Sequence, residues 1–257
     1  MDNTILITGF NGEIGRQTLL SLSNQETHVI ALDIHQSDII YDNVTYIKDS
    51  ILNEDVIKSI FTDYHITEVY HFAALLSQSA NKNPQLAHEV NEEGSKQIIN
   101  AAMDHGKKHQ SLVKLFFPSS IAVYGPRKLI NAKEQDIMKP DTIYGCNKLA
   151  IEQFGTQKHE ESIGLGCGID FRCLRFPGII SPYTIPSGGT TDFAPEMLHK
   201  AYNNKNYTCK LDANTVLPFL GIKNTINSIS QIMNPKNIES KLRTFNVQEI
   251  SLSPKDI

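Results

Sequence analysis

The stretch Thr4-Ile5-Leu6-Ile7-Thr8-Gly9-Phe10-Asn11-Gly12-Glu13-Ile14-Gly15 decides the fold of this 257-residue chain. Its first five residues are apolar or β-branched, as is typical of a buried parallel strand. The glycines that follow have the spacing Gly-x-x-Gly-x-x-Gly, and residues 16–22 continue as a helix with one apolar face. Glycines between a strand and a helix allow a tight turn and the close approach of a pyrophosphate to the helix amino terminus. The stretch therefore predicts a dinucleotide-binding turn.

Two further strands extend this pattern. Residues 29–33 predict the second strand, and Asp33 ends it about 20 residues beyond the glycine turn. A carboxylate at that point accepts hydrogen bonds from an adenosine ribose and repels a 2′-phosphate, which favours NAD over NADP. The alternative is an aspartate that only caps a helix or a loop. Residues 44–47 predict the third strand, after which Asp49 either bonds an adenine amino group or caps the next helix.

Three more strands are predicted at residues 68–74, 112–117 and 169–176, with helices between them. Strands that alternate with helices indicate an α/β fold with a doubly wound parallel sheet of the Rossmann type. We expect residues 1–180 to form the NAD-binding domain, with returning elements from later segments. We expect residues 181–257 to form a small C-terminal substrate lobe. In this lobe we predict helices at 193–202 and 225–233, an extended segment at 210–219, and a last strand at 244–247.

Composition excludes several classes of protein. A net charge of −4 and the absence of a long basic cluster argue against a nucleic-acid partner. No apolar run approaches the ~20 residues that span a bilayer. The four cysteines have no metal-ligand spacing, so we expect no metal and reduced thiols. Strand-like sequence begins at Thr4 and leaves no room for a targeting peptide, which favours a cytoplasmic protein, or an organelle matrix if a leader was removed.

A catalytic group is predicted around residues 118–125 and the pair Tyr144 and Lys148. Tyr144 and Lys148 are four residues apart and therefore lie on one face of a helix. A phenol titrates near ~10, but a nearby ammonium lowers its pKa, and a serine hydroxyl can hold a substrate oxygen beside it. Such a group removes a proton from an alcohol while a hydride leaves the same carbon. The alternative is an ordinary pair on the helix surface.

The chain resembles the extended short-chain dehydrogenase/reductase family, which includes NAD-dependent epimerases and dehydratases. The resemblance is carried by Thr8 to Gly15, by Ser119-Ser120-Ile121-Ala122-Val123-Tyr124-Gly125, and by Tyr144-x-x-x-Lys148. Within the family, the chain is similar to the short-chain, zinc-independent type of L-threonine 3-dehydrogenase. That closer similarity rests on residues 71–77, 115–126 and 174–181 and on Gly188-Gly189-Thr190-Thr191-Asp192-Phe193-Ala194.

The resemblance implies oxidation of the threonine β-hydroxyl with NAD, which gives 2-amino-3-ketobutyrate and NADH. It implies substrate contacts at Ser77, Ser120, Tyr144, Thr190 and Thr191. Tyr144, Lys148 and either Ser119 or Ser120 would be catalytic, with Ser120 favoured by its place before Ile-Ala-Val-Tyr. Together, the residues and the resemblance predict the following cofactor contacts: Gly9, Phe10, Asn11, Gly12, Glu13, Ile14, Gly15, Asp33, Ile34, Asp49, Ser50, His71, Phe72, Ala73, Ala74, Asn91, Pro118, Tyr144, Lys148, Phe176, Gly178 and Ile179.

Several alternatives stay open. His71 is either a general base or a structural residue at a strand end, and Asn91 reaches either the cofactor or a backbone carbonyl. Family members continue for some tens of residues past a segment like Ser251 to Ile257, so we expect a shortened substrate lobe. The family also implies a homodimer through helices at 84–103 and 142–162. The competing functions are a nucleotide-sugar epimerase or dehydratase and a non-catalytic NAD-binding protein.

Overall fold

The computed structural model describes residues 3–126, 131–183, 191–234 and 242–257. Its main sheet has seven parallel strands in the order β3-β2-β1-β4-β5-β6-β9, and a smaller sheet has the order β10-β8-β7. In chain order the strands are β1 (Thr4–Thr8), β2 (His28–Asp33), β3 (Val44–Lys48), β4 (Ile66–His71), β5 (Leu112–Ser120), β6 (Gly168–Phe176), β7 (Gly178–Ile180), β8 (Leu217–Gly221), β9 (Thr244–Asn246) and β10 (Ile250–Leu252).

Helices cover both faces of the main sheet. In chain order they are α1 (Glu13–Ser23), α2 (Glu54–Asp63), α3 (Ser77–Lys82), α4 (Pro84–His88), α5 (Ser95–Lys108), α6 (Ile143–Leu165), α7 (Phe193–Tyr202) and α8 (Ile222–Met233). A π-helical turn over Glu89–Gly94 joins α4 to α5, and a 3-10 helix over Ile121–Tyr124 follows β5. In the described ranges, no helix is both long and apolar enough to cross a bilayer.

The two faces of the sheet have separate cores. Side chains of α2, α5 and α6 pack on one face, as Ile57, Ile98 and Ile151 illustrate, and all three are almost fully buried. Side chains of α1 and α8 pack on the other face, represented by Leu19 and Ile229. Burial on both faces explains why β1 and β2 read as continuous apolar runs rather than alternating ones. The predicted doubly wound α/β sheet is confirmed.

Two predictions of local structure are wrong, and one helix was not predicted. The predicted extended segment at 210–219 is a strand only from Leu217 onward, since residues 210–216 hold turns and irregular backbone. The predicted strand at 112–117 does not end at residue 117, because β5 continues through Ser120, paired with β6 along its whole length. The helix that was not predicted is α3, which has too few residues to show a helical period.

The segments after residue 180 divide between the two sheets. β9 pairs with β6 in parallel and so extends the main sheet, and α8 packs against the α1 side of it. Phe193 of α7 and Phe219 of β8 meet edge to face, with ring centres 5.6 Å apart, in a small apolar cluster of their own. Ile179 of β7 and Pro195 of α7 line a cavity at the carboxyl ends of the main strands. The smaller sheet and α7 therefore form one wall of that cavity.

Candidate functional site

A cavity of about 340 Å³ opens at the carboxyl ends of β1, β4, β5 and β6. This is the edge at which open α/β sheets bind their ligands. The predicted site residues that line it come from the glycine turn, from the ends of β4, β5 and β6, and from α6. They are Gly9, Gly12, Glu13, Ile14, Gly15, Phe72, Ala74, Ser77, Pro118, Ser119, Ser120, Tyr144, Lys148, Phe176, Ile179 and Thr191.

The glycine turn leaves space above the start of α1. Gly9 has a φ of +69°, and a Cβ there would overlap the backbone of Ala73, so only glycine fits. A Cβ at Gly12 would meet nothing closer than the Gly9 carbonyl oxygen at 3.4 Å, so Gly12 faces open space in the cavity. Gly12 is also the N-cap of α1 and has no side chain to satisfy the amides of the first turn. These amides and the helix dipole suit a pyrophosphate.

A carboxylate stands at the end of β2, on the same edge of the sheet. Asp33 is 8% exposed, and its two oxygens accept hydrogen bonds from the backbone amides of Asn11 (3.0 Å) and His35 (2.9 Å). These bonds fix the carboxylate beside the glycine turn. The neighbouring predicted contacts Ile34, Asp49 and Ser50 lie outside the cavity, and Ile34 is largely exposed. The Asp49 carboxylate accepts from the Ser50 amide and from Asn53, which in turn caps α2.

Tyr144 and Lys148 lie in the first turns of α6, whose start is fixed by Thr142. The Thr142 hydroxyl accepts a hydrogen bond from the Gly145 amide (3.0 Å) and so caps the helix. The Lys148 ammonium donates to the Pro118 carbonyl (2.7 Å) and lies 5.5 Å from the centre of the Tyr144 ring. The helix therefore brings the predicted phenol and ammonium to one side of the cavity, next to the end of β5.

The pKa values of this pair depart from the sequence prediction. Burial raises the pKa of the Tyr144 phenol to about 12, whereas we expected Lys148 to lower it. Burial also lowers the pKa of the Lys148 ammonium to about 8, partly opposed by the charge of Glu152. The prediction was wrong in direction because it counted the neighbouring charge and omitted the loss of hydration around both groups.

The two serines of β5 differ in their hydrogen bonds. The Ser120 hydroxyl oxygen accepts from the Ala122 amide (3.2 Å) and so starts the 3-10 helix, while its own proton stays available for a further acceptor. The Ser119 hydroxyl is buried and has no partner in the part of the chain that the structure describes. Both serines line the cavity.

Several residues predicted to contact the cofactor lie elsewhere. Phe10 is in the apolar core below α1. His71 is 1% exposed, and its ring nitrogens bond the hydroxyls of Thr8 (2.6 Å) and Ser95 (2.9 Å). Burial, together with the charge of Lys148, lowers the pKa of His71 to about 3, so its structural alternative is the one that fits.

Asn91 was left open between the cofactor and a backbone carbonyl, and it takes the carbonyl. Its amide donates to the Leu75 oxygen (3.0 Å) and accepts from the Leu75 amide (2.7 Å), which fixes the loop after β4. The side-chain amide of Asn11 donates hydrogen bonds to the backbone carbonyls of His35 and Gln36. The predicted contacts Asn11, Ala73, Asn91 and Gly178 all lie outside the cavity lining.

The wall away from the glycine turn contains residues that sequence reasoning missed. Of the predicted substrate contacts here, Ser77 and Thr191 line the cavity, and Thr190 lies outside the described residues. Ser181 donates a hydrogen bond to Glu13, which joins this wall to the glycine turn. The lining residues absent from our prediction are Leu76, Gln78, Pro177, Ser181, Asp192 and Pro195. The sequence could have indicated Asp192, because it directly follows Thr191 in the motif at residues 188–194.

Comparison with known proteins agrees with this geometry. Residues 5–247 match the family model described as NAD dependent epimerase/dehydratase family. The mitochondrial L-threonine 3-dehydrogenase of Bos taurus is 32% identical over 98% of this chain, which spans 66% of the length of that relative. A monomeric L-threonine 3-dehydrogenase from a metagenome database is 32% identical, with a TM-score of 0.85 over 98% of this chain and 79% of its own. The L-threonine dehydrogenase from Phytophthora infestans is 30% identical, with a TM-score of 0.86 over 98% of this chain and 79% of its own.

The cofactor named by the family fits the residues present. The uncapped glycine turn suits a pyrophosphate, and the fixed Asp33 carboxylate stands where an adenosine ribose is bound in such folds. Both features lie within residues 5–247, the range that matches the family model. The chain belongs to the NAD dependent epimerase/dehydratase family, and its cofactor is NAD.

Proposed function

We propose that this protein oxidises L-threonine at its β-hydroxyl to 2-amino-3-ketobutyrate. The single observation that supports the proposal best is that Tyr144, Ser120 and Lys148 share one cavity with the glycine turn. The similar proteins named above as L-threonine 3-dehydrogenases supply the substrate class. NAD, when bound, accepts the hydride that leaves the β-carbon of the substrate.

The residues of the chain then divide the remaining tasks. Tyr144, as its phenolate, takes the proton of the substrate hydroxyl, and Ser120 donates a hydrogen bond to the same substrate oxygen. Lys148 supplies the cationic charge that favours the phenolate and holds the nicotinamide ribose. Burial opposes the charged forms of both Tyr144 and Lys148, so the phenolate that the proposal requires depends on the neighbouring charge of Lys148.

The charges around the cavity favour a small zwitterion over a sugar nucleotide. Among the described lining residues Lys148 is the only cation, and it already bonds the Pro118 carbonyl. A sugar diphosphate needs cationic partners that this lining does not offer. Glu13 and Asp192 instead carry carboxylates at the cavity, which suits an ammonium group. We place the substrate between this acidic side and the hydroxyls of Ser77 and Thr191.

Assays on the purified protein distinguish the three candidate functions, namely threonine oxidation, epimerisation of a sugar nucleotide, and NAD binding without catalysis. L-threonine with NAD should produce NADH absorbance, whereas UDP-glucose with catalytic NAD should give no epimer. An epimerase would give the opposite result. A non-catalytic protein would bind NADH, detected by its fluorescence, and turn over neither substrate. Tyr144→Phe is the control for threonine oxidation by a contaminating enzyme, because it should retain NADH binding and lose the activity.

The organisation of the whole protein follows from the same proposal. We propose residues 1–180, with β9 and α8 returning to them, as the NAD-binding domain and residues 181–257 as the substrate lobe. We further propose a homodimer formed through the helices at 84–103 and 142–162. The exposed apolar side chain of Leu86 on α4 supports an interface there. A single monomer mass by light scattering at micromolar concentration would reject the dimer.

A further inference from the structure

Three histidines meet at the amino edge of the main sheet, opposite the cavity. His65 immediately precedes β4, and its carbonyl accepts a hydrogen bond from the Thr4 amide at the start of β1 (3.0 Å). His105 and His109 lie at the carboxyl end of α5, one helical turn apart. The 39 residues between His65 and His105 include β4, α3, α4 and most of α5, so only the folded chain brings the three rings together.

His105 is held in the tautomer of a metal ligand. Its Nδ1 lies 2.9 Å from the Phe61 carbonyl oxygen, and since a carbonyl can only accept, Nδ1 carries the proton. Nε2 of the neutral ring therefore presents a lone pair. This atom is buried and has no hydrogen-bond partner among the described residues, and His105 as a whole is 4% exposed. A metal-bound histidine characteristically donates its other N–H to a backbone carbonyl in this way.

The other two rings stand close to the His105 ring. Ring centres are 4.3 Å apart for His105 and His109, 4.8 Å for His65 and His109, and 5.7 Å for His65 and His105. One nitrogen of each ring lies within 4.8 Å of the others. Metal–nitrogen bonds of about 2.0–2.1 Å in a tetrahedral site place nitrogens about 3.3 Å apart, so small side-chain rotations close the site.

The protonation state of the histidines and the helix dipole also suit a metal ion. Burial, followed by the neighbouring histidines and Lys108, lowers the pKa of His105, and burial lowers the pKa of His109 as well. Neutral imidazoles are the form that binds metal. The carboxyl end of α5 carries the negative end of the helix dipole, which stabilises a cation placed there.

We propose that His65, His105 and His109 form a site for one divalent transition-metal ion of the Zn²⁺ class, with a fourth position open to water. Imidazole-only ligation selects Zn²⁺, Cu²⁺, Ni²⁺ or Co²⁺ over Mg²⁺ and Ca²⁺, which require oxygen ligands. The site lies across the sheet from the cavity and takes no part in the reaction. By joining the start of β4 to the end of α5, the ion stabilises the folded chain. The sequence analysis examined cysteine spacing alone and did not consider these histidines.

The test is Zn²⁺ binding by the full chain after treatment with a chelator. Isothermal titration with Zn²⁺ should give one ion per chain, and Zn²⁺ but not Mg²⁺ should raise the melting temperature. His65→Asn and His109→Asn, at the accessible positions, should each weaken the affinity by at least about tenfold while the circular dichroism is unchanged. Co²⁺ should show visible absorption bands of a four-coordinate site that disappear in both variants.

His88→Asn is the matched control, since His88 lies beside Glu92 and Glu93 in another group that could bind a cation. It should bind Zn²⁺ like the parent chain. Failure of the parent to bind one Zn²⁺ would overturn the proposal. So would full affinity in both His65→Asn and His109→Asn, or a loss of binding in His88→Asn alone.

Discussion

The Lys148 ammonium donates a hydrogen bond to the backbone carbonyl of Pro118 across 2.7 Å, and it lies over the Phe117 ring at 4.5 Å from the ring centre. This contact joins α6 to the end of β5, the strand that carries both serines. It also keeps a cationic group 4% exposed, between an aromatic ring and the cavity. Folding therefore removes the charged Lys148 ammonium from water, which lowers the free energy of unfolding.

Replacing Lys148 by methionine should stabilise the folded protein at pH 7 while abolishing turnover. The folded-state pKa of about 8 lies below the ordinary 10.5, so the unfolded chain binds more protons between these pH values. The stability of the parent therefore rises with pH through that window, and its penalty is fully present below pH 8. Methionine removes a penalty of about 1–3 kcal/mol, reduced by the loss of the bond to Pro118. Urea unfolding should show this gap at pH 7 and a smaller gap at pH 10. A less stable variant at pH 7 would contradict the prediction.

A buried ion pair should behave in the opposite way to the Lys148 ammonium. Arg175 of β6 and Glu152 of α6 form a bidentate pair, with Nε–Oε1 and Nη2–Oε2 distances of 2.9 and 2.7 Å, and both residues are buried. Glu152→Gln leaves the guanidinium buried without its counter-charge and should cost about 3–5 kcal/mol of unfolding free energy. The double variant Glu152→Leu with Arg175→Met should recover part of that loss. A loss below about 1 kcal/mol for Glu152→Gln would show that the pair is solvated or dispensable.

The sequence was sufficient for features set by neighbouring residues. The glycine turn and β1 were predictable because a strand, three glycines and a helix follow one another directly. The placement of Tyr144 beside Lys148 was predictable for a similar reason, because helical periodicity alone puts positions four residues apart on one face. The parallel arrangement of the strands then followed from the alternation of strands with helices.

Features that depend on long-range packing were not predictable. The pKa shifts of Tyr144 and Lys148 come from burial, which no local pattern reports. His71 looked chemically attractive, but its partners Thr8 and Ser95 are 63 and 24 residues away. The short helix α3 has no apolar period, because only Ala80 of its residues is buried.

Asp33 should determine the choice between the two nicotinamide cofactors. Its carboxylate is fixed at the end of β2, where folds of this type bind the adenosine ribose, so a 2′-phosphate there would meet a like charge. We therefore expect a preference for NADH over NADPH of about 2–4 kcal/mol, or roughly 30- to 1000-fold. Asp33→Asn removes the charge and keeps only one of the two oxygens that accept from the amides of Asn11 and His35, so the preference should fall at least about tenfold. Fluorescence titration with NADH and NADPH measures both affinities. Asp49→Asn, at the end of the next strand, is the control and should keep the ratio of the parent. Equal affinities in the parent would refute this role of Asp33.

The two serines should separate cleanly on substitution. Ser120→Ala removes the hydroxyl proposed to hold the substrate oxygen and should lower kcat by about 10- to 100-fold, in the range of a lost hydrogen bond to a charged transition state. Ser119→Ala removes a buried hydroxyl without a described partner, so the protein should gain up to about 1 kcal/mol in stability and keep kcat within a few-fold. Threonine oxidation and urea unfolding of both variants provide the comparison. A large loss of kcat in Ser119→Ala with little change in Ser120→Ala would reverse the assignment.

Tyr144→Phe should separate chemistry from binding. The phenyl ring keeps the packing of the Tyr144 ring in the cavity wall, while the phenol oxygen proposed to accept the substrate proton is lost. Removal of a general base lowers the rate by about 10²–10⁴, so threonine oxidation should fall by that factor. NADH affinity, measured by fluorescence, should change less than about threefold, because an interaction made only in the transition state affects the rate and leaves ground-state binding intact. Tyr183→Phe is the control, since its largely exposed ring lies outside the cavity lining and should retain the parent rate. A Tyr144→Phe protein that oxidises L-threonine within a few-fold of the parent would mean that Tyr144 and Lys148 are an ordinary helix pair, worth at most about 0.5 kcal/mol, and that another group removes the proton.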